Sequence, residues 1–207
     1  MEPRTAFRVD EELAAALLPV LLHRINNTTQ LLLGVRAMVD SGGGAVPARS
    51  ASDLGVAAQE AHELGWLLGL LSGGLGADLL LARHESAGLA PLLRLVREGL
   101  RRQSRVLELR TEPLPLVGAS GSGALVCWTI ALAVWNAAQR AAPGRALAVE
   151  FEHNGGRWFV RGDCGGDEGW LALASEVCAR LGGAECSRDG EAWNLVLPGS
   201  WLEPAAR

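Results

Sequence analysis

Residues 17–33 read Leu17-Leu18-Pro19-Val20-Leu21-Leu22-His23-Arg24-Ile25-Asn26-Asn27-Thr28-Thr29-Gln30-Leu31-Leu32-Leu33, an apolar-periodic run interrupted by a polar block. Asparagine and threonine are poor helix formers, because their side chains compete for the backbone and lose rotamer freedom. Four of them in a row, Asn26 to Thr29, indicate that something besides helix stability shaped the segment. Around that block, Leu18, Leu21, Ile25, Thr28, Leu32, Val35 and Val39 alternate in steps of three and four, the seam pattern of a coiled coil. One long helix is expected from about Asp10 to Asp40, with Pro19 kinking it or marking the start of its regular part.

The helix should stop at Ser41-Gly42-Gly43-Gly44, with Pro47 reinforcing the break. A second helix should begin near Ser50 or Ser52, either of which can cap it. Leu54, Ala57, Ala61, Leu64, Leu68, Leu71 and Leu75 give it a seam of the same period. Two such helices joined by a short connection form an antiparallel hairpin. A hairpin is half a bundle, and a second copy buries its apolar surface most simply, giving a dimeric four-helix bundle.

From about Ser86 the pattern changes. Leu89 to Gln103 is an amphipathic helix, Val106 to Thr111 a short strand, and Ser120 to Ala141 a strongly apolar helix ending at Pro143-Gly144. Ala146–Glu152 and Trp158–Arg161 alternate as strands across an Asn154-Gly155 turn. A helix over Trp170–Leu181 and a second hairpin around Asp189-Gly190 complete the pattern. The fold class expected is α+β: a helical hairpin over 1–85, then a mostly antiparallel α/β sandwich over 86–207.

Composition narrows the function. The chain has 207 residues, 49% of them hydrophobic and 20% charged, enough to build a real core. Its net charge of −4 gives no general drive toward nucleic acid or anionic membrane. Arg94, Arg97, Arg101, Arg102 and Arg105 read as a solvated helix face. All 19 basic residues are arginine, so a Walker lysine and a Schiff-base lysine are excluded within this chain. Cys127, Cys164, Cys178 and Cys186 have neither zinc-ligand nor disulfide-framework spacing. No apolar run is long enough to span a bilayer and the N-terminus is not a secretory signal, so a cytoplasmic location is expected. His62, His84 and His153 lack partner motifs, and Trp158, Trp170 and Trp193 read as packing residues.

His23 lies five residues after Leu18, roughly 140° around the helix from the seam, and so should face solvent. An exposed imidazole is mostly neutral at pH 7, and a neutral ring nitrogen can attack phosphorus to form a readily broken P–N bond. Asn26, Asn27 and Gln30 lie within two turns and can hydrogen-bond phosphoryl oxygens or an attacking water. Arg24 is placed to balance charge. His23 is the candidate phosphoacceptor.

His23-Arg24-Ile25-Asn26-Asn27 resembles the H-box of sensor histidine kinases, which often reads His-Glu-Leu-Asn-Asn within a dimerising hairpin. Val134-Trp135-Asn136-Ala137-Ala138-Gln139-Arg140-Ala141 is similar to their N-box, where an asparagine, here Asn136, coordinates the magnesium of ATP. Arg161-Gly162-Asp163-Cys164-Gly165 resembles the first Gly-rich box, whose aspartate, here Asp163, binds the adenine amino group. The resemblance runs from about residue 13 to Pro198 and implies a reduced histidine-kinase-ATPase-like second half.

The chain departs from that family at telling positions. Arg24 stands where the proton-accepting acidic neighbour usually is, Thr28 replaces a proline, and Leu132 replaces the earlier N-box asparagine. Asp167 replaces the last glycine of the Gly-rich box and would repel a triphosphate. Few residues separate it from Trp170, leaving no room for an ATP lid. Asn136, Asp163 and Gly165 are therefore vestigial, and ATP binding is expected to be lost.

What the resemblance then implies is a histidine phosphotransferase of two-component signalling. Its homodimer would relay a phosphoryl group between receiver-domain aspartates through His23, with Asn26, Asn27, Arg24 and Gln30 in support. It would need no cofactor or metal of its own, the receiver domain bringing Mg2+. The alternatives are a non-catalytic, pseudokinase-like regulator and a receiver phosphatase using Asn27.

Overall fold

A computed structural model of the chain describes residues 11–41, 48–71, 88–117, 123–141, 144–163, 184–190 and 192–204. Helix α1, Glu11–Ser41, runs continuously through Pro19 and through the Asn-Thr block. The threonines fit because each hydroxyl bonds back along the helix: Thr28 Oγ1 donates to the Arg24 carbonyl at 3.1 Å and Thr29 Oγ1 to Ile25 at 2.9 Å. Helix α2, Ala48–Leu71, starts before both serines expected to cap it, and Ser50 is buried. The two helices pack along their length as a hairpin.

Burial corrects the expected seams. Leu17, Leu21, Thr28 and Val35 of α1 are buried against the rest of the chain, while Leu18 and Leu32 are exposed. On α2, Ala57 and Leu64 are buried as expected, but Leu54, Ala61 and Leu68 face outward. Each helix thus carries two apolar stripes where one was expected. The inner stripe closes the hairpin, and the outer one is uncovered.

Helices α3, Leu89–Arg102, and α4, Gly123–Arg140, lie on a five-stranded sheet. Its strands are β1 (Val106–Leu109), β3 (Ala146–Asn154), β4 (Arg157–Gly162), β5 (Glu185–Asp189) and β6 (Ala192–Pro198). The order is β1-β3-β4-β6-β5, with β1–β3 parallel and every other pair antiparallel. Two short strands not expected from sequence, β2 (Leu116–Val117) and β7 (Leu202–Glu203), pair apart from this sheet. Trp158 Nε1 donates to the Leu202 carbonyl at 2.6 Å, fastening the tail that carries β7. Trp158 and Trp193 are buried packing residues; Trp170 and the helix expected over 170–181 lie outside the described residues.

The β3–β4 turn is one residue later than Asn154-Gly155. Asn154 pairs with Arg157, and Gly155 and Gly156, at φ +58° and +74°, make the loop. Two adjacent glycines both adopt positive φ without strain, which frees Asn154 to extend the ladder.

One apolar core runs from the hairpin into the sheet half. Leu13, Leu17, Val20 and Leu21 of α1 and Trp66, Leu67 and Leu70 of α2 join Leu92, Leu93, Val96 and Leu100 of α3. Gly99 permits the close approach: a Cβ there would lie 3.2 Å from Leu17 and 3.6 Å from the Trp135 ring of α4. The lower hairpin is therefore seated on α3, and the turn bearing His23 is just above that seat.

Candidate phosphoacceptor site

His23, Asn26, Asn27 and Gln30 are all exposed on one side of α1, as the spacing predicts. Asn27 is one turn from His23 and its Nδ2 lies 3.3 Å from His23 Nε2. With the amide nitrogen facing the ring, Asn27 donates and Nε2 accepts, the Nδ1–H tautomer of a neutral imidazole. Nε2 then carries the ring's lone pair, which accepts the Asn27 amide on an exposed stretch of the helix surface. Gln30 stands two turns on over nearly the same face, and Asn26 one turn on toward the outer apolar stripe.

Arg24 points elsewhere. Its Nε donates to Glu60 Oε1 at 2.7 Å and its Nη2 reaches Glu63 Oε2 at 3.2 Å, both on α2. The guanidinium expected to balance charge at His23 is already committed to two carboxylates inside the hairpin. Glu60 and Glu63 had not been expected as its partners, and Arg94, expected on a solvated face, instead donates to both oxygens of Glu63 at 3.0 Å. The one signal for the carboxylates was Glu63 immediately before the inner-stripe Leu64.

The nucleotide-box positions are engaged by the fold itself. Asn136 is half-buried and its Nδ2 donates to the Leu132 carbonyl of its own helix at 3.0 Å. Asp163 Oδ1 accepts the Ala148 N–H at 2.8 Å, the Asp163 N–H returns a bond to the Ala148 carbonyl, and Arg110 stands 3.8 Å from Oδ2. That carboxylate extends the β3–β4 pairing. Beside it, the indole of the buried Trp193 lies against Gly162 so closely that a Cβ there would overlap the ring. Gly165, Asp167 and the expected lid deletion lie outside the described residues.

Of the α3 arginines, Arg97, Arg101 and Arg102 are exposed, consistent with a solvated face. Arg105 instead turns inward to the Ala138 and Ala141 carbonyls, a cation at the C-terminus of α4. His153 packs on Trp158, ring centroids 5.0 Å apart, and His62 is half-buried. His84 lies outside the described residues. Among the described residues no group of three or more His, Cys, Asp or Glu side chains is placed to hold a metal, and no helix is long and apolar enough to cross a membrane.

No family model matches the chain, and no curated protein matches it in sequence. Solved structures do. The Acinetobacter baumannii histidine kinase AdeS matches at 14% identity over 85% of this chain and 97% of its own, TM-score 0.37. A bacterial phosphotransferase matches at 10% identity over 92% of this chain and 98% of its own, TM-score 0.38. The mycobacterial sensor histidine kinase MprB matches at 19% identity over 56% of this chain and 93% of its own, TM-score 0.37. The three structures named are two histidine kinases and a bacterial phosphotransferase, each 19% identical to this chain or less.

Proposed function

We propose that this chain is a histidine phosphotransferase of two-component signalling, with His23 as the phosphoacceptor. The observation that carries the reading is the exposed His23 Nε2 with the Asn27 amide 3.3 Å away. In the transfer, the Nε2 lone pair attacks the phosphorus of a receiver's aspartyl phosphate. The N–P bond forms as the P–O bond to the carboxylate breaks, and the aspartate leaves as carboxylate. With the ring proton on Nδ1, as the Asn27 contact favours, no proton has to leave Nε2 at attack and the product is a phosphoimidazolium that keeps its Nδ1–H. That is compatible with an arginine, Arg24, where kinases keep an acid. The Asn27 amide, displaced from Nε2 by the incoming group, is within reach of the phosphoryl oxygens. The return step onto a second receiver reverses the same bonds.

The outer stripes fit a homodimer. Leu18, Leu22, Ile25, Thr29 and Leu32 on α1, and Leu54, Ala58, Ala61, Gly65 and Leu68 on α2, each step by four and three. Leu22 is 54% exposed and Leu68 43%, in a hairpin whose inner seam is already closed. A second hairpin laid on these stripes completes a four-helix bundle and leaves His23, about 100° around α1 from Leu22, in solvent. Nucleotide binding is absent in this reading, with Asp163 Oδ1 taken up by the Ala148 N–H, and Mg2+ comes with the receiver.

A second reading, a receiver phosphatase, draws on the same Asn27, whose amide one turn from His23 can orient a water instead. Mixing a phosphorylated receiver, an unphosphorylated one and this protein separates the two. The relay moves phosphate to the second receiver and loses that transfer in His23→Ala. The phosphatase releases inorganic phosphate and depends on Asn27.

A further inference from the structure

Glu63 is the one charged residue among those described that is buried, and three helices meet on it. Arg24 of α1 reaches its Oε2 at 3.2 Å, and Arg94 Nη2 of α3 donates to both its oxygens at 3.0 Å. Arg24 also holds Glu60 at 2.6 Å, so two guanidiniums and two carboxylates balance. The same three helices also share an apolar core that includes Leu17, Leu21, Leu67 and Val96, and apolar contact alone is non-directional. A partly buried ionic network adds little net stability, but its hydrogen bonds have one geometry and so fix a register. Arg24 directly follows His23, and Arg94 lies in the second turn of α3, the helix from which the sheet half begins.

We infer that Arg24, Glu63 and Arg94 are positioning residues that lock α3, and the sheet behind it, at one rotation and height against the turn carrying His23. A partner seated on His23 then meets a second surface, the outward face of α3 with Arg97 and Arg101, already in register. This rests on the phosphoacceptor reading above and extends it to how the partner is held. Arg24 thereby acts through placement and not by touching the phosphoryl group.

The full chain is compared with Arg94→Gln, Glu63→Gln and the rescue variant Arg94→Lys. Two quantities are read: amide hydrogen exchange in α3, and the KM and kcat of transfer from a phosphorylated receiver domain. Loosening the tie predicts exchange about tenfold faster in the first turns of α3 and a KM raised about tenfold with kcat within about twofold, because only binding in register is lost. Arg94→Lys should restore most of both. Arg94 is half-exposed and carries the test should Glu63→Gln fail to fold. Wild-type exchange and KM in a folded Arg94→Gln, or a loss confined to kcat, would overturn the inference. If no receiver labels even the wild-type protein, the relay reading fails while exchange still decides: faster in Arg94→Gln supports the tie, unchanged overturns it.

Discussion

At the scale of single residues, the identity of a side chain mattered less than what it was bonded to. Arg24 and Asp163 were both legible as motif positions, yet their polar atoms serve partners far along the chain, Glu63 and Ala148, which no local pattern reveals. Gly162 was legible as a Gly-box glycine, and the structure adds that Trp193 fills the space a side chain would need. Gly162→Ala should therefore cost about 2 kcal/mol by overpacking, read as a lower denaturation midpoint. Cys186 gives a pH test. Burial pushes its thiol up to about 11, so the folded state favours the neutral form. The stabilisation is complete below the ordinary thiol value and is lost as pH rises through about 11. Iodoacetamide at pH 9 should modify Cys186 more slowly in the native protein than in urea; equal rates would contradict the burial.

At the scale of elements, helices were read well and their faces less so. The period that predicts α1 and α2 is satisfied by either of two stripes 100° apart, and only the position of α3 selects the inner one. Strand ends shifted for a local reason, the Gly155-Gly156 pair, and β2 and β7 are too short to leave a pattern. If the outer stripes are a dimer seam, Leu22→Glu combined with Leu68→Glu should halve the mass measured by light scattering while helical circular dichroism persists. A wild-type protein that is monomeric at micromolar concentration would remove the seam. Helix α3 closes with the Arg105 N–H bonded to the Leu100 carbonyl and the Ser104 N–H to Arg101, with Ser104 at φ +59°. Glycine is at ease in that conformation and serine is not, so Ser104→Gly should stabilise the fold by about 1 kcal/mol.

At the scale of the molecule, the change of pattern near Ser86 suggests a hairpin followed by a sheet half. Their shared core is not legible there, since contacts such as Leu17 on Gly99 join distant parts of the sequence. That core brings the His23 turn close above the seat on α3. The decisive measurement is the label on the protein itself after brief exposure to a panel of radiolabelled, phosphorylated receiver domains. Acid-labile phosphate on the wild type, absent from a folded His23→Ala, is the result predicted. Receivers that lose their phosphate while the protein stays unlabelled, or label that persists in His23→Ala, would contradict it.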